Sequence, residues 1–251
     1  MPDIVMHTIF GEEVLDRLQI EVDRDIYSFG LVGPDPFLFY HFYLPPFIHR
    51  VNRYSSIMHR RHTGDYLVEL AYRSRQNPEA FSYLAGFLCH YALDSTVHPY
   101  VNRKSKNDIA VHIAIEHRLD KETGRKPILP PFLPDRLKED VGGAMTKIYG
   151  WKDAWEKMKA GRRDMEPFYH MIQNEKDTVN RILYHSHTRA ALLTYQTAAV
   201  DDIDLRGFWP LYRKAVEAAV RYISAADSFA RGEIDEAALR EVVGSHSFID
   251  G

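Results

Sequence analysis

The segment Phe81–Tyr100, FSYLAGFLCHYALDSTVHPY, restricts what this chain can become more than any other stretch. From Leu84 to Leu93 it is apolar almost without interruption, on every side of a helix of about 3.6 residues per turn. Such a helix has to be enclosed by protein. Into this setting the sequence places His90, Asp94 and His98, spaced so that all three lie on one stripe. Each sits about 6 Å further along the axis than the last. A buried imidazole or carboxylate without a partner is costly, and a divalent metal is the simplest partner that three of them can share. The helix start is written just upstream, with Asn77 as N-cap, Pro78 in the first helical position and Glu79 in the first turn. The apolar run is too short to span a bilayer.

The rest of the chain carries helical periodicity, with no hairpin series, repeat or low-complexity run. The expected architecture is all-α, a multi-helical single domain over residues 1–244 with a loose tail at 245–251. Met1–Ile20 reads as an extended start followed by a short amphipathic helix, with His7 just before it. Phe29–Pro46 reads as a loop rich in aromatic residues. Within it, Pro34 and Pro36 fix the backbone on either side of Asp35. That carboxylate either caps the helix led by Pro36 or is held rigidly at a cavity wall. His49, His59 and His62 precede a helix starting near Thr63. After a polar loop over Val101–Asp108, a helix runs from an Asp108 cap toward Gly124, with His112 and Glu116 on one face and His117 turned away. The proline-rich Arg125–Pro134 reads as a connection inside the domain. Helices are expected over Asp135–Tyr149 (weakened at Gly142-Gly143), Trp151–Ala160, Pro167–Ala198, Phe208–Ala230 (Trp209 and Leu211 inward) and Asp235–Val243.

Several functional classes are excluded or disfavoured. A net charge of -3 provides no basic field for nucleic acid or anionic membrane. The single cysteine, Cys89, rules out an internal disulfide framework. The first residues lack a basic segment followed by an apolar run, so a cytoplasmic location is expected. The chain has no His-Asp dipeptide of the HD phosphohydrolase type and no Glu-x-x-His pair of the di-iron bundle type.

Spacing divides the polar stripe. His90 and Asp94, on adjacent turns, can bind one ion. His98 is about 12 Å of helix rise from His90, too far to join it comfortably. Asp94 either serves the His90 ion alone or bridges two ions through its two oxygens. His98 would go to another ion together with His112 and Glu116. Two histidines, one carboxylate and an open position match catalytic rather than structural zinc.

Taken together, these residues resemble the zinc-dependent phospholipase C family, which is related to single-strand-specific zinc nucleases. The resemblance rests on His7, Gly33-Pro34-Asp35-Pro36, a histidine after the aromatic loop, His90-x3-Asp94, His98 and His112-x3-Glu116, in that order. It implies an all-helical fold that holds metal ions in a cleft and hydrolyses phosphodiesters. Carried onto this sequence, it implies one ion on His59 (chosen over His62), His90 and Asp94, and a second on His98, His112 and Glu116. A third would use His7 and share Asp94. Asp35 would be a ligand or the general base. Secreted members begin with a tryptophan that binds the third metal, whereas this sequence begins Met1-Pro2. The implied complement is therefore two or three zinc ions, the third vacant or completed by the N-terminus.

The expected function is zinc-dependent hydrolysis of a phosphodiester, possible partners including phospholipid, with no stable nucleic-acid complex. Bound dications would lower the pKa of water from about 15.7 toward about 7 for attack on phosphorus. The alternatives are a nuclease or small phosphoester hydrolase on the same metals, and a non-catalytic metal-stabilised scaffold. Aromatic residues in Phe37–Tyr43 would either line a substrate pocket or fill the core.

Overall fold

The computed structural model describes residues 4–42, 44, 50–173 and 200–249. Among them are eleven helices and no strand. In chain order these are α1 (Ile4–Arg17), α2 (Arg24–Leu31), α3 (Pro36–Phe39), α4 (Asn52–Met58), α5 (Thr63–Ser74), α6 (Pro78–Ser105), α7 (Ile109–Glu122), α8 (Gly143–Tyr149), α9 (Ala154–Gln173), α10 (Phe208–Ala230) and α11 (Glu236–Val243).

The apolar segment forms the middle of α6, which has 28 residues and so spans about 42 Å. Its start is as expected: the Asn77 side chain accepts from Glu79 N at 3.0 Å, with Pro78 in the first turn. Its end is not. The helix continues through Pro99 to Ser105, across most of the expected polar loop. Proline removes one backbone hydrogen bond, but the residues beyond it are anchored. Val101 is buried, and the Asn102 amide is bonded on both sides, to Ile249 O and to His112.

The other helices wrap this axis, with α1, α2, α5, α7 and α10 packed directly on α6. The crossing with α2 is close because two glycines meet: a Cβ added to Gly30 would lie 2.9 Å from the Gly86 Cα. This approach brings the end of α2 and the following turn against His90. α1 begins earlier than expected and takes in His7. The carboxylate of Asp120 on α7 accepts from Val5 N at 3.2 Å and Met6 N at 3.0 Å. It satisfies orphan donors at the positive end of α1 and sets His7 one residue further on, facing α6.

Further along, the weakness expected at Gly142-Gly143 is a π-helical turn, Lys138–Gly142, leading into α8. The two helices expected around Trp151–Ala160 and from Pro167 are one helix, α9, as far as Gln173. The remainder of the second, residues 174–198, lies outside the described residues, as does His49. In α10 the inward face is Phe208, Tyr212, Val216, Ala219 and Ile223, and Trp209 is 40% exposed rather than inward. Phe37 and Phe39 are core residues, against Tyr54 and Trp151 and against Phe168 and Tyr169 respectively. Residues 245–249, expected to be loose, fold back over α6, and Phe248 is fully buried.

Candidate metal centre

Eight ionisable side chains from five elements converge at the middle of the fold: His7, Asp35, His59, His90, Asp94, His98, His112 and Glu116. All are buried. They form three sets, two of them sharing His90, and within each set the ligand atoms lie within 4.8 Å of one another: His59, His90 and Asp94; His98, His112 and Glu116; and His7, Asp35 and His90.

Asp94 is the hub, with its side chain wholly enclosed. Its oxygens lie 3.2 Å from His7 Nε2, 3.3 Å from His90 Nε2, 3.6 Å from His59 Nε2 and 3.7 Å from His98 Nδ1. The second set is built one turn further along, with Glu116 Oε1 2.7 Å from His112 Nε2 and 3.4 Å from His98 Nε2. Asp35 lies in the turn between α2 and α3, 3.4 Å from His59 Nε2. It occupies the capping position of α3 but makes no side-chain capping bond. Of its two local readings, the structure therefore favours a carboxylate turned into the site. Gly33 clears the space for this turn: it has φ +50°, and a Cβ there would run into the His90 ring.

The histidines share an orientation that sequence alone does not show. His90 Nδ1 is 3.1 Å from Leu31 O, and His59 Nδ1 is 2.8 Å from Ser55 O. His98 Nδ1 is 2.6 Å from Phe248 O, and His112 Nδ1 is 2.9 Å from Asn102 Oδ1. A hydrogen bond from Nδ1–H leaves the Nε2 lone pair facing the cluster, which is how outer groups prepare imidazoles for metal. His7 stacks on His90, with centroids 4.3 Å apart. His62 takes no part; its side chain is 59% exposed and paired with Asp65. Of the two alternatives, His59 is thus the one at the site.

Electrostatics show why the arrangement needs cations. Burial alone would raise the Asp94 carboxyl, but the imidazoles of His98, His90, His59 and His7 overcome this and hold it well below the usual carboxylate range. Burial works the same way on Glu116, and the His112 and His98 imidazoles favour its ionised form. Burial and the neighbouring His90 ring push His7 down, and burial pushes His98 down, so both favour the neutral form. Three carboxylates are thus enclosed in one cluster, and two of the rings around them, His7 and His98, favour the neutral form. His7 Nε2, His59 Nε2, His90 Nε2, Asp35 Oδ1 and both Asp94 oxygens are buried without a hydrogen-bond partner. Orphaned lone pairs of this kind, all facing inward, fit bound divalent cations.

The site opens to the surface through a cleft of about 390 Å³. His59, His98 and His112 line it, together with Arg60, Ser56 and Asn107. Arg60 is exposed and makes no ion pair among the described residues. Sequence reasoning missed the outer groups: Ser55, Asn102, Asp120 and the carbonyls of Leu31 and Phe248. The spacing of Ser55 and His59, one helical turn, was the only available signal.

The family model described as zinc dependent phospholipase C matches residues 6–156. This interval contains all eight residues of the site. No curated protein and no solved structure matches the chain.

Proposed function

The chain belongs to the zinc dependent phospholipase C family, and on that premise we propose that its eight-residue cluster holds two or three zinc ions and cleaves a phospholipid on the glycerol side of its phosphate. Membership makes the protein a metal-dependent phosphodiesterase with a phospholipid substrate class. The single observation that carries the site assignment is the set of buried, unpartnered Nε2 and carboxylate atoms converging from α1, α6 and the loops around α3 and α4.

We assign His59, His90 and Asp94 to one ion, and His98, His112 and Glu116 to another. His7 serves a third position with Asp35 and His90 around it, and Asp94 Oδ1 within 3.2 Å. Bound zinc supplies Lewis acidity toward the phosphate oxygens and an acidified water at neutral pH. The chain's own residues do the rest. Leu31 O, Ser55 O and Phe248 O keep the imidazoles of His90, His59 and His98 oriented before substrate arrives. Arg60, an exposed residue lining the cleft, binds a non-bridging phosphate oxygen or an anionic part of the head group. Asp35 is the least enclosed of the three carboxylates, with side-chain exposure of 8% against 5% for Glu116 and 0% for Asp94. It accepts the proton as water attacks phosphorus. The phosphorus–oxygen bond to the glycerol breaks, and the leaving oxygen takes up a proton to give diacylglycerol and a phosphorylated head group.

No helix among the described residues is long and apolar enough to cross a membrane, so lipid would reach the cleft from a bilayer surface or from dispersed monomers. A nuclease on the same metals would need a longer cationic track for a strand, and Arg60 is the only Lys or Arg among the described residues lining the cleft. The test is metal analysis of chain prepared without chelator. Two or three zinc equivalents are expected, and less than one equivalent overturns the assignment.

A further inference from the structure

Residues 245–249 contain no helix and lie outside the interval matched by the family, yet they reach the metal centre. The Phe248 backbone contacts both main sets at once. Its N–H donates to His59 O at 2.7 Å, and its carbonyl accepts from His98 Nδ1 at 2.6 Å. Its ring packs against His59 and His90, with centroids 4.9 and 5.7 Å apart. The segment is fastened along its length. The Tyr91 hydroxyl donates to Val243 O at 2.9 Å and accepts from His246 N at 2.9 Å. Ser245 Oγ accepts from Gly64 N at 3.2 Å, and Asn102 Nδ2 donates to Ile249 O at 2.9 Å.

This geometry bears on a choice open to His98. Among the described residues its Nδ1 faces two acceptors, Phe248 O at 2.6 Å and Asp94 Oδ2 at 3.7 Å. Only the first is within hydrogen-bond distance. We infer that the C-terminal segment is a strap that sorts His98 between the two metal sets: the Phe248 carbonyl holds Nδ1–H and so keeps Nε2 with Glu116 and His112. With the carbonyl withdrawn, Asp94 becomes the nearest acceptor among the described residues, and the ring turns toward the His90 set. Nε2 then leaves Glu116, and the Asp94 oxygen that faces His90 and His59 is diverted. Phe248 and Tyr91 act here as positioning residues, through His98. The consequence for metal rests on the proposed His98, His112 and Glu116 site; the orientation of His98 does not.

The test uses the full chain with Tyr91→Phe and Phe248→Ala. Tyr91→Phe keeps the ring and removes only the two hydroxyl hydrogen bonds. Phe248→Ala removes the anchor, and Phe248→Leu serves as the conservative rescue. In metal-free protein, side-chain nitrogen NMR should show His98 protonated on Nδ1 in the parent and as a tautomer mixture in Tyr91→Phe and Phe248→Ala. Zinc competition should show affinity at the His98 set falling about 10-fold or more, the order expected when an outer partner of a ligand is lost. The His59 and His90 set should keep its zinc in Tyr91→Phe, and Phe248→Leu should recover most of the affinity. If Phe248→Ala does not fold, Tyr91→Phe alone decides. An unchanged His98 tautomer in the folded variants, with zinc affinity equal to the parent, overturns the strap. A parent chain that binds no zinc overturns the metal centre, whatever the tautomer shows.

Discussion

Replacing Asp94 with asparagine distinguishes a metal ligand from the hub of a structural ion-pair cluster. The substitution keeps the side-chain volume and removes the charge. Without metal, each surrounding imidazole that loses its proton as pH rises stops compensating the carboxylate. The Nδ1–H bonds of His59 and His90 to Ser55 O and Leu31 O then aim bare lone pairs at the carboxylate. A protonated imidazole at the 3.3 Å of His90 would be worth about 5 kcal/mol at an effective dielectric of about 20. Withdrawing a carboxylate from water costs several kcal/mol, a comparable amount. The size of Asp94's contribution therefore follows the protonation of its neighbours. Burial opposes the His90 cation, but Asp94 and Asp35 outweigh it and raise its pKa above 6.5. The stabilisation from that cation is complete below the unfolded value and is lost as pH rises through the folded one. Asp94 itself is ionised throughout, because its pKa is held low. In chelator-treated protein, Asp94→Asn should thus lower the unfolding free energy by about 1–3 kcal/mol near pH 5.5, and the loss should shrink as pH rises through the raised His90 value. In untreated protein the same change should remove zinc from the His90 set. Urea unfolding followed upward from about pH 5.5, paired with zinc analysis, reads both effects. A loss of stability in chelator-treated protein that does not shrink as pH rises, together with full zinc content in the untreated variant, would refute the reasoning.

Other substitutions separate the parts of the site. His112→Ala should release the zinc of the His98 set and abolish phosphodiesterase activity while leaving zinc at the His90 set, as read by metal analysis and substrate turnover. Arg60→Ala should leave metal content unchanged and weaken substrate, raising KM about 10-fold for the loss of one charge-assisted contact to phosphate; an unchanged KM removes Arg60 from the binding site. Gly33→Ala places a Cβ against the His90 ring at φ +50°, and should cost about 1–2 kcal/mol from backbone conformation alone and more through the displaced ring, with loss of zinc from the same set. Zinc affinity should fall as pH drops through the raised His90 value, because proton and metal compete for Nε2; a pH titration of zinc binding that is flat through this range would contradict the ligand assignment.

The sequence was most informative where one helix carries the pattern. Four-residue spacing in α6 and α7 was enough to place His90 with Asp94 and to group His98 with His112 and Glu116, the same sets that the fold brings together. Asp35 was ambiguous because two prolines specify a rigid turn equally well for a cap and for a cavity wall. His7 was expected outside its helix because the group that stabilises the start of α1 is Asp120, more than a hundred residues away. Pro99 signalled a helix end, and burial of Val101 together with the two-sided bonding of Asn102 overrode it. The groups that orient the histidines were the least legible. Leu31 and Phe248 contribute backbone carbonyls, and a carbonyl has no letter in a sequence. The terminal segment looked loose because its polar residues outnumber Phe248 and Ile249, but Phe248 fills the gap beside His59, His90 and Tyr91.

The measurement that bears most directly on the central proposal is phosphorus NMR of zinc-loaded chain acting on short-chain phospholipids with different head groups. The account predicts a phosphomonoester head group and diacylglycerol as products, with turnover abolished by chelator and restored by zinc. Fully zinc-loaded protein that releases no phosphomonoester from any head group, or that leaves phosphate on the glycerol, would contradict it.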